Sequence, residues 1–572
     1  MKIKNGRSKN TSLSVMDLYC GAGGFSEGFR QQGFDIVSGI DHWMPAIETF
    51  NYNFDLECKR REMLDFEKDH LAIESLPDTD VILGSPPCVS FSMSNRMGSA
   101  DKSLGLRQMQ TFLRIVAIKK HKKNSILKAW FMENVPNAAL HLKPQYRFLD
   151  LGLRSWARDN GYKNDDIAVD LRDRVKVLNA KDFGVPQERK RLFVGEILGI
   201  KGFPQLSSVR YNKLRNVDTP SVTVVKQALP SPNAQSSKQL VNDPIYPIAI
   251  PRTKLTDHFY DTGLYKAHWL DAKYLKQNHP YMGRMAFPEN ESRPSRTIVA
   301  SRFAAARESI IYRSERRRKG DGEYRMPTVR EAASLMSFPI TYQFLGAENA
   351  KWKLVGNAVS PLVSASLANS VLRVLDYPIK RNPEVRRHVT VKGISNLNTH
   401  KKKVFKKPPN RNPGARFRRH PFKDGNMTVT MSNYDIEKSG KYDGRWRLSV
   451  MYGTGKDFVI QKFDARSLNQ IENTIRNTYE NGPCFIKEVA IKVASRVPDA
   501  EGLQRRYEQR MSKNYKLEPV QLIESIQKLV SRYANGELCE PDSCSLFLRE
   551  RVPKKQLYSL YALALVCKKA NR

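Results

Sequence analysis

Long apolar runs are missing from this sequence. None approaches the roughly 18–20 residues of a membrane span, and the basic N-terminal stretch MKIKNGRSKNTS lacks the apolar centre of a signal peptide. Paired cysteines are missing too. The seven, at 20, 58, 88, 484, 539, 544 and 567, form no disulfide ladder and no CxxC metal site, so reduced thiols in a cytoplasm are expected. Acidic residues are scarce: 58 Asp and Glu against 96 Lys and Arg leave a formal charge of +38. A polyanion is the economical partner for such an excess, because phosphate neutralisation releases counterions. Internal repeats are absent.

What is present divides along the chain. At 572 residues, two to four structural units are expected. Residues 13–24, LSVMDLYCGAGG, run from an apolar strand into a glycine turn, with a helical segment from Phe25 to Gln32. A second strand-like run, Phe34–Val37, leads to Asp41; Val81–Leu83 ends at GSPPCVSFS, and Ile126–Met132 at Glu133-Asn134. Strands alternating with helices predict a parallel α/β sheet, in which ligands gather at the carboxyl ends of strands. The rhythm breaks at about 196–295 and returns at Tyr324–Phe338 and Lys353–Leu375. From Lys380 to Lys423 there are fifteen Lys and Arg and one acid, Glu384, which reads as a linker or a nucleic-acid-binding arm. Three short strands follow (Met427–Met431, Trp446–Tyr452, Phe458–Phe463), then helices at Arg466–Tyr479, Val520–Tyr533 and Lys554–Lys569. A small DNA-binding unit or a docking domain fits this end; Lys441, Tyr442, Arg445, Trp446 and Arg447 would suit the former.

Single motifs are weak. An isolated cysteine is most often an inert core residue, and a glycine turn is often only a tight bend. The turn Gly21-Ala22-Gly23-Gly24 nevertheless sits between strand and helix, where backbone can approach a ligand. Asp41, after the next strand, suits ribose hydroxyls; Tyr19 and Trp43 either flank an adenine ring or belong to the core.

Taken in order, the motifs resemble those of the DNA (cytosine-5) methyltransferases. Asp17–Gly24 resembles the first motif, Pro86-Pro87-Cys88-Val89-Ser90-Phe91-Ser92 the catalytic loop, and Glu133-Asn134-Val135 the glutamate motif. Gln187–Arg191 matches QxRxR, Arg325–Pro339 the ninth motif and Gly356–Pro361 the tenth. Two departures stand out: Tyr19 where the family usually has Phe, and Val89 where it has Gln.

The resemblance implies an S-adenosylmethionine-dependent, Rossmann-like α/β domain with a mixed sheet and a smaller target-recognition domain, with the catalytic domain at 1–195 and 296–377 and target recognition at 196–295. The residues after Tyr377 fall outside the resemblance, and their own pattern reads as a basic linker or arm at 378–424 and an α+β C-terminal extension at 425–572. Duplex DNA is the implied substrate. A restriction–modification setting, with a cognate endonuclease acting on the same site, comes from the family alone. Cys88 is the implied nucleophile toward C6 of a flipped cytosine, Glu133 the proton donor at N3, Arg191 the cation at O2 and Arg189 a brace for the loop. Asp17, Tyr19, Gly21, Gly23, Gly24, Asp41, Trp43, Asp65, Pro86, Asn357 and Val359 are the implied cofactor-binding residues, with no metal expected. Two other readings are a tRNA cytosine methyltransferase and an inactive DNA-binding regulator. The long recognition region and the lack of a Cys-Phe-Thr tripeptide count against the first; Cys88, Glu133 and the glycine turn count against the second.

Overall fold

A computed structural model describes residues 12–88, 91, 102–209, 220–233, 240–277, 284–380, 382–387, 389, 402–406, 418–424, 427–433, 445–452, 460–462, 465–509, 516–534, 538–539 and 552–572. It forms two compact units, 1–269 with 287–404, and 270–286 with 405–572.

The first unit is built on β1 (Ser14–Leu18), β2 (Asp35–Ile40), β3 (Val81–Gly84), β4 (Ala129–Asn134), β5 (Val175–Asn179) and β6 (Lys190–Ile197), in the order β2-β1-β3-β4-β6-β5. The first four are parallel; β6 runs antiparallel to β4, and β5 to β6. The alternation of strand and helix therefore reads only two thirds of the sheet correctly, and the mixed sheet is the outcome. Every residue of β3 and β4 is buried, which is why both read as unbroken apolar runs.

Alternation along the strands assigns each face. Met16, Leu18, Ile82, Trp130 and Met132 pack with Met109, Phe112, Leu113 and Val116 of helix α3 (Lys102–His121). Val15, Val81, Leu83, Ala129 and Phe131 pack with Phe25 and Phe29 of α1 (Gly24–Gln31) and with Leu367 and Val371 of α5 (Pro361–Val374). Asp17 and Glu133 share this second face, the one that carries the first and tenth motifs. Helices α2 (Met44–Phe54) and α4 (Glu348–Asn357) also belong to this unit.

The basic run does not leave the first unit freely. The Glu384 amide donates to the Gln31 carbonyl at 3.1 Å, and Arg386 donates to the Tyr52 carbonyl at 2.5 Å and to Asp55 at 2.8 Å. Further along, the Lys403 amide donates to Asp261 at 2.9 Å.

In the second unit a meander of β7 (Arg418–Asp424), β8 (Met427–Ser432), β9 (Arg447–Tyr452) and β10 (Ile460–Lys462) packs with five helices, α6 (Ala465–Thr478), α7 (Gly482–Lys492), α8 (Ala500–Gln509), α9 (Pro519–Tyr533) and α10 (Lys554–Ala570). Strand β7 lies within the run read as linker or arm, so there are four strands where the sequence suggests three. Trp446, expected among DNA-contacting aromatics, is 1% exposed, and its indole N–H donates to the Ala500 carbonyl at 3.1 Å. It belongs to the core. Lys441 and Tyr442 lie outside the described residues.

Candidate active site

Three glycines of the first motif do different physical work. A Cβ on Gly21 would meet only open space, whereas one on Gly23 would strike Phe54 and Tyr342, and one on Gly24 the Val359 carbonyl. Gly24 therefore lets α1 pack against the tenth motif, Gly23 makes room for Phe54 and Tyr342, and Gly21 leaves room for a ligand. The Gly21 amide donates to Asp41 Oδ2 at 3.0 Å, and the Trp43 amide to Oδ1 at 2.8 Å, so Asp41 is locked across the mouth of the turn. Burial raises its carboxyl and the two amides pull the other way. Trp43 is half-buried, with Lys353 Nζ 4.5 Å from its ring centre.

Tyr19 has φ +57, a left-handed conformation uncommon for an aromatic residue and a mark of stored strain. Its ring is buried and its hydroxyl bonds Gln108. Asp17 is fully buried; Oδ2 accepts from Ser26 Oγ at 2.7 Å while Oδ1 has no hydrogen-bond partner, and burial pushes the carboxyl up to about 7. Asp65 is exposed on the short 3-10 turn Met63–Glu67. An orphaned carboxylate oxygen, an open glycine, an amide-locked Asp41 and an indole form a donor set that fits a cationic nucleoside such as S-adenosylmethionine.

The neighbouring ends of β3 and β4 bring the next groups together. Pro86 is buried, and its carbonyl accepts from Asn134 Nδ2 at 3.1 Å, while Asn134 Oδ1 accepts from the Val135 amide at 2.8 Å. Ser85 Oγ donates to Glu133 Oε2 at 2.5 Å. Glu133 Oε1 lies 3.1 Å from Arg191 Nε, yet this buried oxygen has no partner with hydrogen-bond geometry. Cys88 is half-buried; burial pushes its thiol up, Glu133 adds to that, and Arg191 and Arg189 oppose it. Thiol, carboxylate and guanidinium therefore feel one another. Val89 lies outside the described residues.

Among the described residues, Arg189 braces the backbone at Ile298 and in the tenth motif. It is 2% exposed and donates to the carbonyls of Ile298 at 3.2 Å, Gly356 at 3.1 Å and Ala358 at 3.0 Å, with burial bringing its guanidinium down to about 9. It ties the QxRxR strand to the tenth motif. A cavity between them is lined by Glu133, Arg189, Arg191, Phe193, Val359 and Val363. Val359 is buried there, whereas Asn357 is exposed at the end of α4.

Sequence reasoning missed several supporting groups. Ser85 and Asn134 lie within or beside quoted motifs, but only the geometry shows that one holds the carboxylate and the other the proline loop. Gln187, also quoted, accepts from the Ile298 amide at 3.2 Å. Tyr342 donates to the Ala22 carbonyl at 2.5 Å and lies 320 residues away, beyond any local signal. Among the described residues no group of His, Cys, Asp and Glu is arranged to hold a metal, and no helix is long and apolar enough to cross a membrane.

The sequence matches the family described as C-5 cytosine-specific DNA methylase over residues 13–373. It is 28% identical over 372 residues to the type II methyltransferase M.HgiDI of Herpetosiphon aurantiacus, covering 64% of this chain and 96% of that protein. It is 29% identical over 372 residues to M1.HphI of Haemophilus parahaemolyticus, covering 64% and 87%. Among solved structures, a putative DNA modification methyltransferase encoded within an Escherichia coli prophage aligns with a TM-score of 0.41 and 22% identity, over 64% of this chain and 100% of that one. The family match spans more than half of the chain, and the protein belongs to the C-5 cytosine-specific DNA methylases, enzymes that use S-adenosylmethionine as methyl donor.

Proposed function

We propose that this enzyme methylates C5 of a cytosine flipped out of a specific duplex sequence, through a covalent adduct with Cys88, in a restriction–modification setting. The observation that carries the reading is the convergence of Cys88, Glu133 and Arg191 at the ends of adjacent strands, with one carboxylate oxygen left open.

C5 of cytosine is a poor nucleophile until something adds at C6. Cys88 gives up its proton to solvent, with the Arg191 and Arg189 charges favouring the thiolate, and its sulfur bonds C6. The proline carbonyl held by Asn134 keeps that loop in place. Density moves toward N3 and O2. Glu133, oriented by Ser85, gives a proton to N3, and Arg191 faces the charge at O2. S-adenosylmethionine would supply the methyl group at C5, and Gly21, Asp41, Trp43 and Asp65 would hold it. Loss of the C5 proton to solvent and return of the N3 proton to Glu133 then expel Cys88 and restore the ring.

We further assign target recognition to residues 196–295 and a DNA-binding role to the C-terminal α+β region, whose first strand, Arg418–Asp424, lies inside the basic stretch 378–424. The formal charge of +38 supports extended phosphate contact. A cognate endonuclease would share the target site without needing to touch this chain.

Bisulfite sequencing of host DNA expressing the protein, beside a Cys88→Ser version, tests the reading. Methylated cytosines in one sequence context are expected with the wild type and none with the variant. Methylation that persists in the variant overturns the mechanism.

A further inference from the structure

Two adjacent residues, Arg107 and Gln108, reach both walls of the methyl-donor pocket from one helix. Gln108 Oε1 accepts from the Tyr19 hydroxyl at 2.6 Å, and its backbone carbonyl lies 3.0 Å from the same hydroxyl. Tyr19 stands two residues before the open Gly21. Arg107 grips Glu67 with two bonds, Nε to Oε1 at 2.7 Å and Nη2 to Oε2 at 2.5 Å. Glu67 stands two residues after Asp65.

The two walls are also joined to each other. The Arg61 amide donates to the Asp41 carbonyl at 3.0 Å, and the Arg61 guanidinium lies 4.1 Å from the Phe66 ring centre. Met63 and Phe66 sink into the same core as Met109, Phe112 and Leu113 of α3. That apolar anchor fixes the depth of the 63–67 turn and leaves its rotation to directional bonds. Tyr19 needs an external tether for a second reason, since its left-handed backbone persists only where its surroundings hold it. The hydroxyl that supplies the tether is the atom by which this chain departs from the family's usual phenylalanine.

We infer that Arg107 and Gln108 are positioning residues for the S-adenosylmethionine pocket, setting the mutual geometry of the Tyr19–Gly21 turn and the Asp65 turn. The inference rests on the cofactor reading of those two turns. The Arg107–Glu67 pair is about half exposed on the arginine side and 28% exposed on the glutamate side, so its loss costs little folding stability. Any effect on the cofactor is then separable from unfolding.

The test is calorimetric titration of the full-length protein with S-adenosylmethionine in the absence of DNA, alongside steady-state methylation kinetics. Arg107→Ala, Gln108→Leu and Tyr19→Phe are expected each to weaken cofactor binding about three- to tenfold. The rise in KM for S-adenosylmethionine is expected to exceed any fall in kcat. Tyr19→Phe removes the donor to both the Gln108 side chain and its carbonyl, so it is expected to weaken binding at least as much as Gln108→Leu, which leaves the carbonyl bond. Gln108→Leu adds little on top of it, whereas Arg107→Ala adds to either. Arg107→Lys, which keeps the charge but loses the two-pronged grip, recovers only part of the affinity. Unchanged cofactor affinity in the three variants overturns the inference, as does a fall in kcat with KM untouched. A wild-type protein that binds no S-adenosylmethionine overturns the cofactor reading itself, a distinct result.

Discussion

Strands β4 and β6 carry one buried glutamate at each end, and the two are treated in opposite ways. Glu196, which pairs in register with Trp130, is saturated: Oε1 accepts from Lys120 at 2.6 Å and from the Trp130 indole at 2.9 Å, and Oε2 pairs with Arg174 at 2.8 Å. Glu133, opposite Phe193 at the other end, keeps one oxygen orphaned beside Arg191. Buried polar atoms are normally satisfied. Glu196 is saturated and holds the sheet, whereas Glu133 keeps the open oxygen that the proposed proton donor needs.

Substitution of the pair sharpens the contrast. Glu133→Gln removes the proton donor, and kcat is expected to fall about 10²–10⁴-fold with the melting temperature nearly unchanged. Glu196→Gln leaves Lys120 and Arg174 without their counter-charge, and denaturant titration is expected to show a loss of about 3 kcal/mol. Its kcat per folded molecule should hold. A reversal of these outcomes would break the comparison.

A subtler effect lies at Cys88. Glu133 raises the thiol's pKa, so Glu133→Gln lowers it, and alkylation of Cys88 by iodoacetamide near neutral pH is expected to quicken although methylation slows. The variant is thus a better thiolate and a worse enzyme.

The last effect concerns Asp17. Its carboxyl sits at about 7 in the fold against 3.8 ordinarily, so between those values folding takes up a proton. Stability is greatest below the lower value, falls as pH rises toward 7 and levels above it. Asp243, raised to about 6, acts in the same sense. The melting temperature of the cofactor-free protein is expected to drop between pH 5 and 7, and Asp17→Asn is expected to flatten that slope while leaving the Asp243 contribution.

Much of this was legible in the residues. Parallel strands buried on both faces announce themselves as apolar runs, and polar groups at their ends mark the site, so β1, β3 and β4 and the residues that follow them were readable. Strands β5 and β6 kept their direction hidden, because orientation is set by pairing and not by composition. That Arg189 also ties in the carbonyls of Ile298, Gly356 and Ala358 is invisible in the sequence, because these partners lie more than 100 residues away. Trp446 beside basic residues resembled a stacking platform, since a buried and an exposed indole share the same letter. Helices α7 and α8 escaped notice because α7 opens on Gly482-Pro483 and Pro498 precedes α8. Proline near a helix start is indistinguishable from a loop signal until the helix is seen.

The packing of α1 against α5 has a consequence in time. Gly24 and Gly28 leave no room between them and the 359–365 segment, and Ser364 donates to the Phe25 carbonyl. At ribosomal rates of about 5–20 residues per second, α5 emerges roughly 20–70 s after α1. Once residue 191 has emerged, every proposed catalytic side chain exists, yet the α5 side of Phe25 and Phe29 is still uncovered. A nascent chain therefore carries those side chains before the catalytic unit is closed, and that unit waits for α5.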